Sequence, residues 1–367
     1  MFNAIKQEYW LLLAVLAALI ALPLEHALLG HGQGVALIAA IALIGAIVCA
    51  SLRVAHHAEQ LAERVGDPYG TMILTLSAVL VEVVILAIMM SNEASPTLVR
   101  DTIYSAVMLD INGILGLAAL MGGIKHGEQP YNDDSARSYS VMILTAMGIS
   151  MVVPEFIPES DWKAYSVFTI GAMLVLYAVF LRMQVGPHSY FFSYSYPEKK
   201  NRGGGGGDGH GAGESQVNVA WSVGVLVFGV VVIGVLAEVM SQALDVGLEG
   251  TGAPPVLTAI VVAGISAAPE ILTALRAALA NRMQSVVNIA LGASLSTVIL
   301  TVPVMEAMAL YSGQPFQMAM TPVQTVMVFI TLIVCAINLN DGETNAIEGM
   351  THFVLFATFI MLAMLGL

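Results

Sequence analysis

Long apolar runs separated by short polar turns dominate the chain. Runs near or above the ~20 residues that cross a hydrocarbon core fall at about 9–29, 35–55, 70–91, 98–124, 139–158, 164–184, 217–244, 254–280, 284–311, 321–339 and 347–366. This pattern predicts an all-α integral membrane protein with about eleven transmembrane helices. The first run has only Lys6 ahead of it and ends in EHALLGHG, without a small-x-small cleavage site. It is expected to remain as a helix and not to act as a signal peptide. One long polar connection, YPEKKNRGGGGGDGHGAGESQ, separates the sixth run from the seventh, and its glycines make it a flexible linker. The expected organisation is an N-terminal helix and loop at 1–34, a five-helix unit at 35–184, the linker at 185–216 and a second five-helix unit at 217–367.

Composition supports the membrane reading. Hydrophobic residues make up 57% of the chain and charged residues 11%, against about a quarter charged in soluble domains. Basic residues then give an orientation. The N-terminus and the loops after the second, fourth, sixth and eighth runs hold Lys6, Arg53, Arg64, Lys125, Arg137, Arg182, Lys199, Lys200, Arg202, Arg276 and Arg282, while the other side has only Arg100 and Lys163. That bias predicts a cytoplasmic N-terminus and an external C-terminus. The net charge of −13 does not oppose it, because the rule counts Lys and Arg. Cys49 and Cys335 both lie inside apolar runs and read as small fillers. His56 and His57, at the cytoplasmic end of the second run, read as interfacial histidines, with pH sensing as the sharper alternative.

Two acidic residues stand out against this background. Glu82 lies midway along TMILTLSAVLVEVVILAIMM, and Glu270 holds the matching place in GISAAPEILTALRAAL. A charge at the centre of a spanning helix costs at least ~2.5–3.5 kcal/mol on insertion scales, which makes each a functional candidate. Their helices are the third and the eighth, so they cross in opposite senses. That is the signature of an inverted-topology repeat, which places substrate sites near the midplane. At ~1.5 Å per residue, Glu82 lies roughly 18 Å and Glu270 roughly 15 Å from the inner ends of their helices. Setting Arg100 against Arg282 puts Asn112 opposite Ser294 and Asp110 opposite Gly292. Asp110 and Asn112 are roughly 200° apart on a regular helix, and Asn112 is the preferred cavity residue of the two. Thr75 shares the face of Glu82, and Ser266 and Thr273 share that of Glu270. Pro269 frees a backbone carbonyl about one turn earlier. Asn288 either lines the cavity or bridges helices, and Glu306 reads as interfacial.

Carboxylates, hydroxyls and a freed carbonyl are the oxygen ligands of a hard cation such as Ca2+, and no Cys or His lies near the pair to favour zinc or copper. Two close buried carboxylates also bind protons. Competition between protons and a cation, with alternating access, amounts to antiport. An uncoupled cation channel remains a different reading. An intramembrane hydrolase is disfavoured by the lack of HExxH, GxSxG and a helix-embedded aspartate pair, so no enzymatic activity, resident cofactor or nucleic-acid partner is expected. The expected partners are inorganic cations, protons and the bilayer, with a homo-oligomer left open.

The same residues resemble the calcium/cation antiporter superfamily, and within it the proton/calcium exchangers, most closely the bacterial sodium-potassium/proton and calcium/proton antiporter subfamily. HAEQLAERVGDPYGTMILTLSAVLVEV resembles the first signature repeat, GISAAPEILTAL with NIALGASLSTVILTVP the second, and DGETNAIEGMTHFVLFA a further signature near the end. The resemblance covers nearly the whole chain and implies a ten-helix inverted-repeat core after one extra helix, with Glu82 and Glu270 as cation ligands. It further implies proton relay or gating by Glu59 and Glu238, which could otherwise be solvated interfacial carboxylates. The chain departs from the family at Ala78-Val79-Leu80-Val81-Glu82, where many members have Gly-Asn-Ala-x-Glu, and at Ile271, where eukaryotic members often carry His. The departures leave Na+ or K+ open beside Ca2+ as the exported ion. A bacterial inner membrane is the expected location.

Overall fold

The computed structural model describes residues 8–65, 69–92, 95–186, 189–192, 219–313 and 316–367. The glycine-rich segment 193–216 of the expected linker lies outside them. Twelve principal helices follow in order: α1 (Tyr9–Gly30), α2 (Gln33–Val65), α3 (Tyr69–Asn92), α4 (Leu98–His126), α5 (Asp133–Phe156), α6 (Trp162–Val185), α7 (Val219–Leu248), α8 (Val256–Ser266), α9 (Ala268–Leu279), α10 (Met283–Ser312), α11 (Pro322–Asn338) and α12 (Ala346–Met364). Nine are long and apolar enough to cross a membrane, and ten spans result if the bent pair α8–α9 counts as one. The run expected over 321–339 forms a shorter apolar helix, α11, so length and composition give nine to ten spans among the described residues, against about eleven expected.

Side chains of α1, α2, α6, α7, α11 and α12 present large exposed hydrophobics such as Leu16, Ile38, Val175, Val231, Ile333 and Val354. Such a surface matches lipid and not water. α4 and α10 are the most enclosed helices of the bundle.

Contacts between loops sort the turns onto two ends. At one end Lys125 Nζ donates to Leu279 O at 2.8 Å, and the Asn132 N–H donates to Gln284 Oε1 at 2.7 Å. There β1 (Gln129–Pro130) pairs antiparallel with β2 (Glu343–Thr344). At the other end the Gln317 N–H donates to Pro96 O and the Met320 N–H to Met151 O, while the Gln33 amide reaches Glu249 O. The first end carries Arg64, Lys125, Arg182 and Arg276 in the last turns of their helices, and is called the basic end below. α3 therefore runs away from the basic end and α8–α9 runs towards it, so the two glutamate helices are antiparallel.

One packing seam is tighter than the rest. α12 lies against α4 across glycines: a Cβ added to Gly349 would come within 2.2 Å of Leu120 N, and one on Gly116 within 2.8 Å of His352 Cβ. In lipid there is no hydrophobic force between helices, so small residues that let backbones approach supply the association.

Candidate ion-binding site

Each half of the chain supplies one glutamate at membrane depth, on backbones that differ. α3 continues unbroken through Glu82. That residue is 4% exposed, and its Oε2 accepts hydrogen bonds from Thr297 Oγ1 and Thr301 Oγ1, both at 3.0 Å. The two threonines bound a π-helical segment of α10, Thr297–Thr301, and such segments mark functional positions in many helices. In the other half Pro269 has no N–H to donate, and the chain bends by 57° between α8 and α9. Glu270 thereby falls in the first turn of α9, where the helix N-terminus favours negative charge.

Glu82 Oε1 and Glu270 Oε2 are buried without a hydrogen-bond partner. The ion pairs found among the described residues join other groups: Arg53 and His57 with Glu8, Arg100 with Asp101, and Arg137 with Asp133 and Asp134. A buried carboxylate without a basic partner needs a proton or a cation to balance it.

A third carboxylate joins the pair. Asp110 sits in the π-helical segment Leu109–Leu115 of α4, is 3% exposed and accepts a hydrogen bond from Ser294 Oγ at 3.2 Å. It lies within electrostatic reach of both Glu270 and Glu82. No three acidic, histidine or cysteine side chains among the described residues converge on one point at ligating distance. The three carboxylates form a charged neighbourhood, and any cation held here would draw on hydroxyl and carbonyl oxygens as well.

A cavity of about 610 Å³ leads to this neighbourhood, lined by Glu270, Ser266, Thr75, Thr273, Asn288 and Glu59 among others. Glu59 and Thr273 are exposed and lie on the segments of α2 and α9 nearest the basic end. Gln184 and Phe192 line the cavity from the end of α6 and the turn after it.

The sequence-derived candidates therefore divide. Glu270, Ser266, Thr75, Thr273, Asn288 and Glu59 share the cavity, while Glu82, Asp110 and Ser294 are buried beside it. Asn288 both lines it and donates to Phe192 O at 3.0 Å. Asn112 does not join them. Its Nδ2 donates to Thr331 Oγ1 at 2.8 Å and its Oδ1 contacts His352 Nδ1 at 3.0 Å, so Asp110, and not Asn112, meets Ser294. Asp110 and Asn112 lie on opposite sides of α4, as residues two apart on a helix must, and the Asp110 side is the one that packs on α10. Glu238 is exposed on α7 and lies outside the cavity.

Two interfacial expectations are corrected. Glu306 is 2% exposed and accepts a hydrogen bond from Thr169 Oγ1 at 2.6 Å. His57 is 3% exposed, bonded to Glu8 Oε1 at 3.1 Å and Ser222 Oγ at 3.2 Å, because α1 and α7 cover the face of α2 that it occupies. The sequence alone does not single out Thr297 and Thr301. Their signal is two threonines four residues apart, one helical turn, in an apolar helix that must pack near Glu82.

Comparison with known proteins bears on this arrangement. Residues 34–186 and 221–365 match the sodium/calcium exchanger protein family. The chain belongs to that family. As a member of the sodium/calcium exchanger family it is 31% identical over 323 residues to the sodium-potassium/proton antiporter ChaA of Escherichia coli, covering 88% of this chain and 87% of that one. It is 22% identical over 290 residues to a Ca(2+)/H(+) antiporter of Aphanothece halophytica, covering 76% and 77%. Its fold is similar to the crystal structure of the Ca2+/H+ antiporter protein YfkE, with a TM-score of 0.71 at 18% identity over the whole of both chains. The family is one of transporters.

Proposed function

We propose that this exchanger-family protein is a secondary cation/proton antiporter of a bacterial inner membrane, exporting Ca2+, and also Na+ or K+, in exchange for protons. The observation that carries the reading is the pair Glu82 and Glu270. Both are at membrane depth, each has one buried carboxylate oxygen without a partner, and neither pairs with a basic side chain among the described residues. Relatives named as sodium-potassium/proton and Ca(2+)/H(+) antiporters support the class of reaction. The positive-inside rule supports a cytoplasmic assignment for the basic end, hence a cytoplasmic N-terminus and an external C-terminus.

On that orientation the structure is inward-open. The cation enters the cavity from the cytoplasm and meets Glu270 first, with Ser266 and Thr75 on the cavity wall. Asp110 adds negative charge behind Glu270, and Glu82 closes the site with Thr297 and Thr301 holding one of its oxygens. Cation binding displaces protons from the carboxylates. Reorientation then exposes the ion on the other side, where protons return. Emptying the site without either partner leaves uncompensated buried charge, which is costly, and that cost enforces coupling. A channel reading is weaker, since the cavity reaches the carboxylates from one end. Glu59 sits at the cytoplasmic mouth, placed to exchange protons with solvent, whereas Glu238 has no corresponding place in this conformation.

The test is proton flux in everted vesicles with an acid interior, with Ca2+, Na+ or K+ added in turn, for the wild type and Glu270→Gln. Proton release on adding a cation, lost in the variant, is the expected result. Cation uptake without proton movement would refute antiport, and exchange at the wild-type rate in the variant would refute the site.

A further inference from the structure

The π-helical segment of α4 has two polar faces, and the exchange reaction described above uses only one. Asp110 faces the ion site. Asn112, two residues on, faces the opposite side and contacts His352 of α12. This histidine is 2% exposed, lies about 9 Å along the helix from Ala346, and is pressed to α4 by the close approach of Gly116 to its Cβ and to the Phe353 N–H.

Hydrogen bonding fixes its tautomer. Thr331 Oγ1 donates to Met108 Sδ and accepts from Asn112 Nδ2, so Asn112 Oδ1 faces His352 as an acceptor. His352 Nδ1 must then carry the hydrogen, and Nε2 presents its lone pair. Nε2 is buried with no hydrogen-bond partner. One helical turn nearer the basic end, at i and i+4 spacing on the same face, is Glu348. Its Oε1 accepts from Asn345 Nδ2 at 2.9 Å, the Thr344 hydroxyl lies beside the carboxyl, and Oε2 is buried without a well-formed hydrogen bond. Two atoms of complementary chemistry thus occupy one seam, walled from the cavity by α4, and neither residue lines the cavity.

We propose that His352 and Glu348 form a second proton-binding site, separate from the cation cavity, which takes protons from the basic end and reports its charge to the Asp110 segment through Asn112. The step is a simple transfer. The two atoms are not hydrogen-bonded to each other here; once a side-chain rotation brings them together, a proton on the Glu348 carboxyl moves to His352 Nε2, leaving a carboxylate beside an imidazolium, while Nδ1–H still donates to Asn112 Oδ1, and the reverse transfer restores the neutral pair. This rests on the antiport reading and deepens it by giving protons a route that the cation does not block.

The surroundings hold few competing charges. α8 and α11 carry no acidic or basic residue, and the only sulfhydryl on α11, Cys335, is near Ser140. On α4 the charged groups are Asp110 across the helix, Arg100 and Asp101 paired at the far end, and Lys125 and His126 bound to Leu279 O. Tyr104 packs on Phe359. Asp341 and Tyr131 lie near Glu348, where solvent begins.

The experiment uses the full chain in proteoliposomes and compares two readouts: cation flux driven by a pH gradient, across a range of basic-end pH, and isotopic cation self-exchange at symmetric pH. His352→Asn keeps a donor at the Nδ1 position towards Asn112 and removes the protonatable nitrogen. Glu348→Gln is the second variant, near the surface and conservative in shape. The expected result for each is a pH profile displaced by at least one pH unit, with self-exchange within twofold of the wild type. Wild-type pH profiles in both variants would overturn the proposal, as would a fall of self-exchange in step with driven flux in both. If the wild type itself showed no proton-coupled flux, the antiport reading would fail instead.

Discussion

The two segments that match the exchanger family, 34–186 and 221–365, treat the same acid differently. Around Glu82 the residues Ala78, Val79, Leu80 and Val81 contain nothing that interrupts a helix, and α3 carries the carboxylate straight into the packed interior, where two threonines of the other half meet it. Around Glu270 the sequence Gly264-Ile265-Ser266-Ala267-Ala268-Pro269 ends one helix and starts another at 57°, which turns the carboxylate to the cavity. One glutamate is held and the other is presented. In the proposed antiport cycle, repeats that run in opposite senses can exchange such roles when the protein reorients, and the difference belongs to one state of it. What does not exchange is the proline, which only the second half has at this position.

The largest effect expected from this comparison is loss of both acids. Glu82→Gln and Glu270→Gln should each lower coupled exchange by at least about two orders of magnitude, since each removes a charge that the cation must balance; initial rates in proteoliposomes check this. The comparison breaks if only one does. Access should differ between the halves: in the cation-free protein a cysteine at Ser266 should react with a membrane-impermeant thiol reagent from the basic end, and one at Thr297 should not. Straightening the break comes next. Pro269→Ala restores a backbone donor and should slow transport by about tenfold, the equivalent of ~1.4 kcal/mol, while thermal unfolding of the detergent-solubilised protein is unchanged or raised. A variant that transports at the wild-type rate would show that the bend is decorative.

How far the chain announced this structure depends on the kind of signal. Hydropathy carried the helices because apolar length is a bulk property of each segment. The glutamates were visible because a charge is conspicuous in an apolar run, and the α8–α9 break because proline acts locally. The partners of those acids were harder to see. Thr297 and Thr301 are ordinary residues in a membrane helix, and what selects them is the packing of α10 on α3. Asn112 and Asp110 are a related case: they lie on opposite sides of one helix, and which side turns to α10 is set by packing that LDINGIL does not announce. The places of Glu306 and His57 in their apolar runs suggest the interface, but burial depends on which neighbour covers them.

A smaller effect is expected where Glu82 is held. Thr297→Val and Thr301→Val each remove one donor to a buried carboxylate. With the charge of the carboxylate balanced by a proton or a cation, a hydrogen bond contributes about 0.5–1.5 kcal/mol net, so each variant should weaken cation binding by roughly two- to tenfold. The equivalent change on the presented side, Ser266→Val, should weaken it less, because Ser266 Oγ bonds to Val262 O and Ala263 O and not to the acid. Equal losses in binding isotherms on the two sides would show that the two acids are held alike.

The smallest effect sits where the first helices of the two halves, α2 and α7, are tied to α1. Arg53 of α2 donates to both Glu8 oxygens, at 2.9 and 2.7 Å, and His57 joins Glu8 to Ser222 of α7. Burial would raise the Glu8 pKa, but the hydrogen bonds from Arg53 and His57, together with their charge, outweigh it and hold the carboxyl below its ordinary value of 4.5. A carboxyl with a depressed folded pKa stabilises the fold fully above its unfolded value, and that contribution disappears as pH falls through the folded one. Thermal stability of the wild type should therefore decline on acidification below about pH 4.5 by more than that of Glu8→Gln, which starts lower and lacks this titration. The difference should be modest, since the pair lies near the membrane surface, where solvent screens it. If the two curves ran parallel through that range, Glu8 would not be what ties α1 to both halves, and the apolar faces of α2 and α7 would hold α1 unaided.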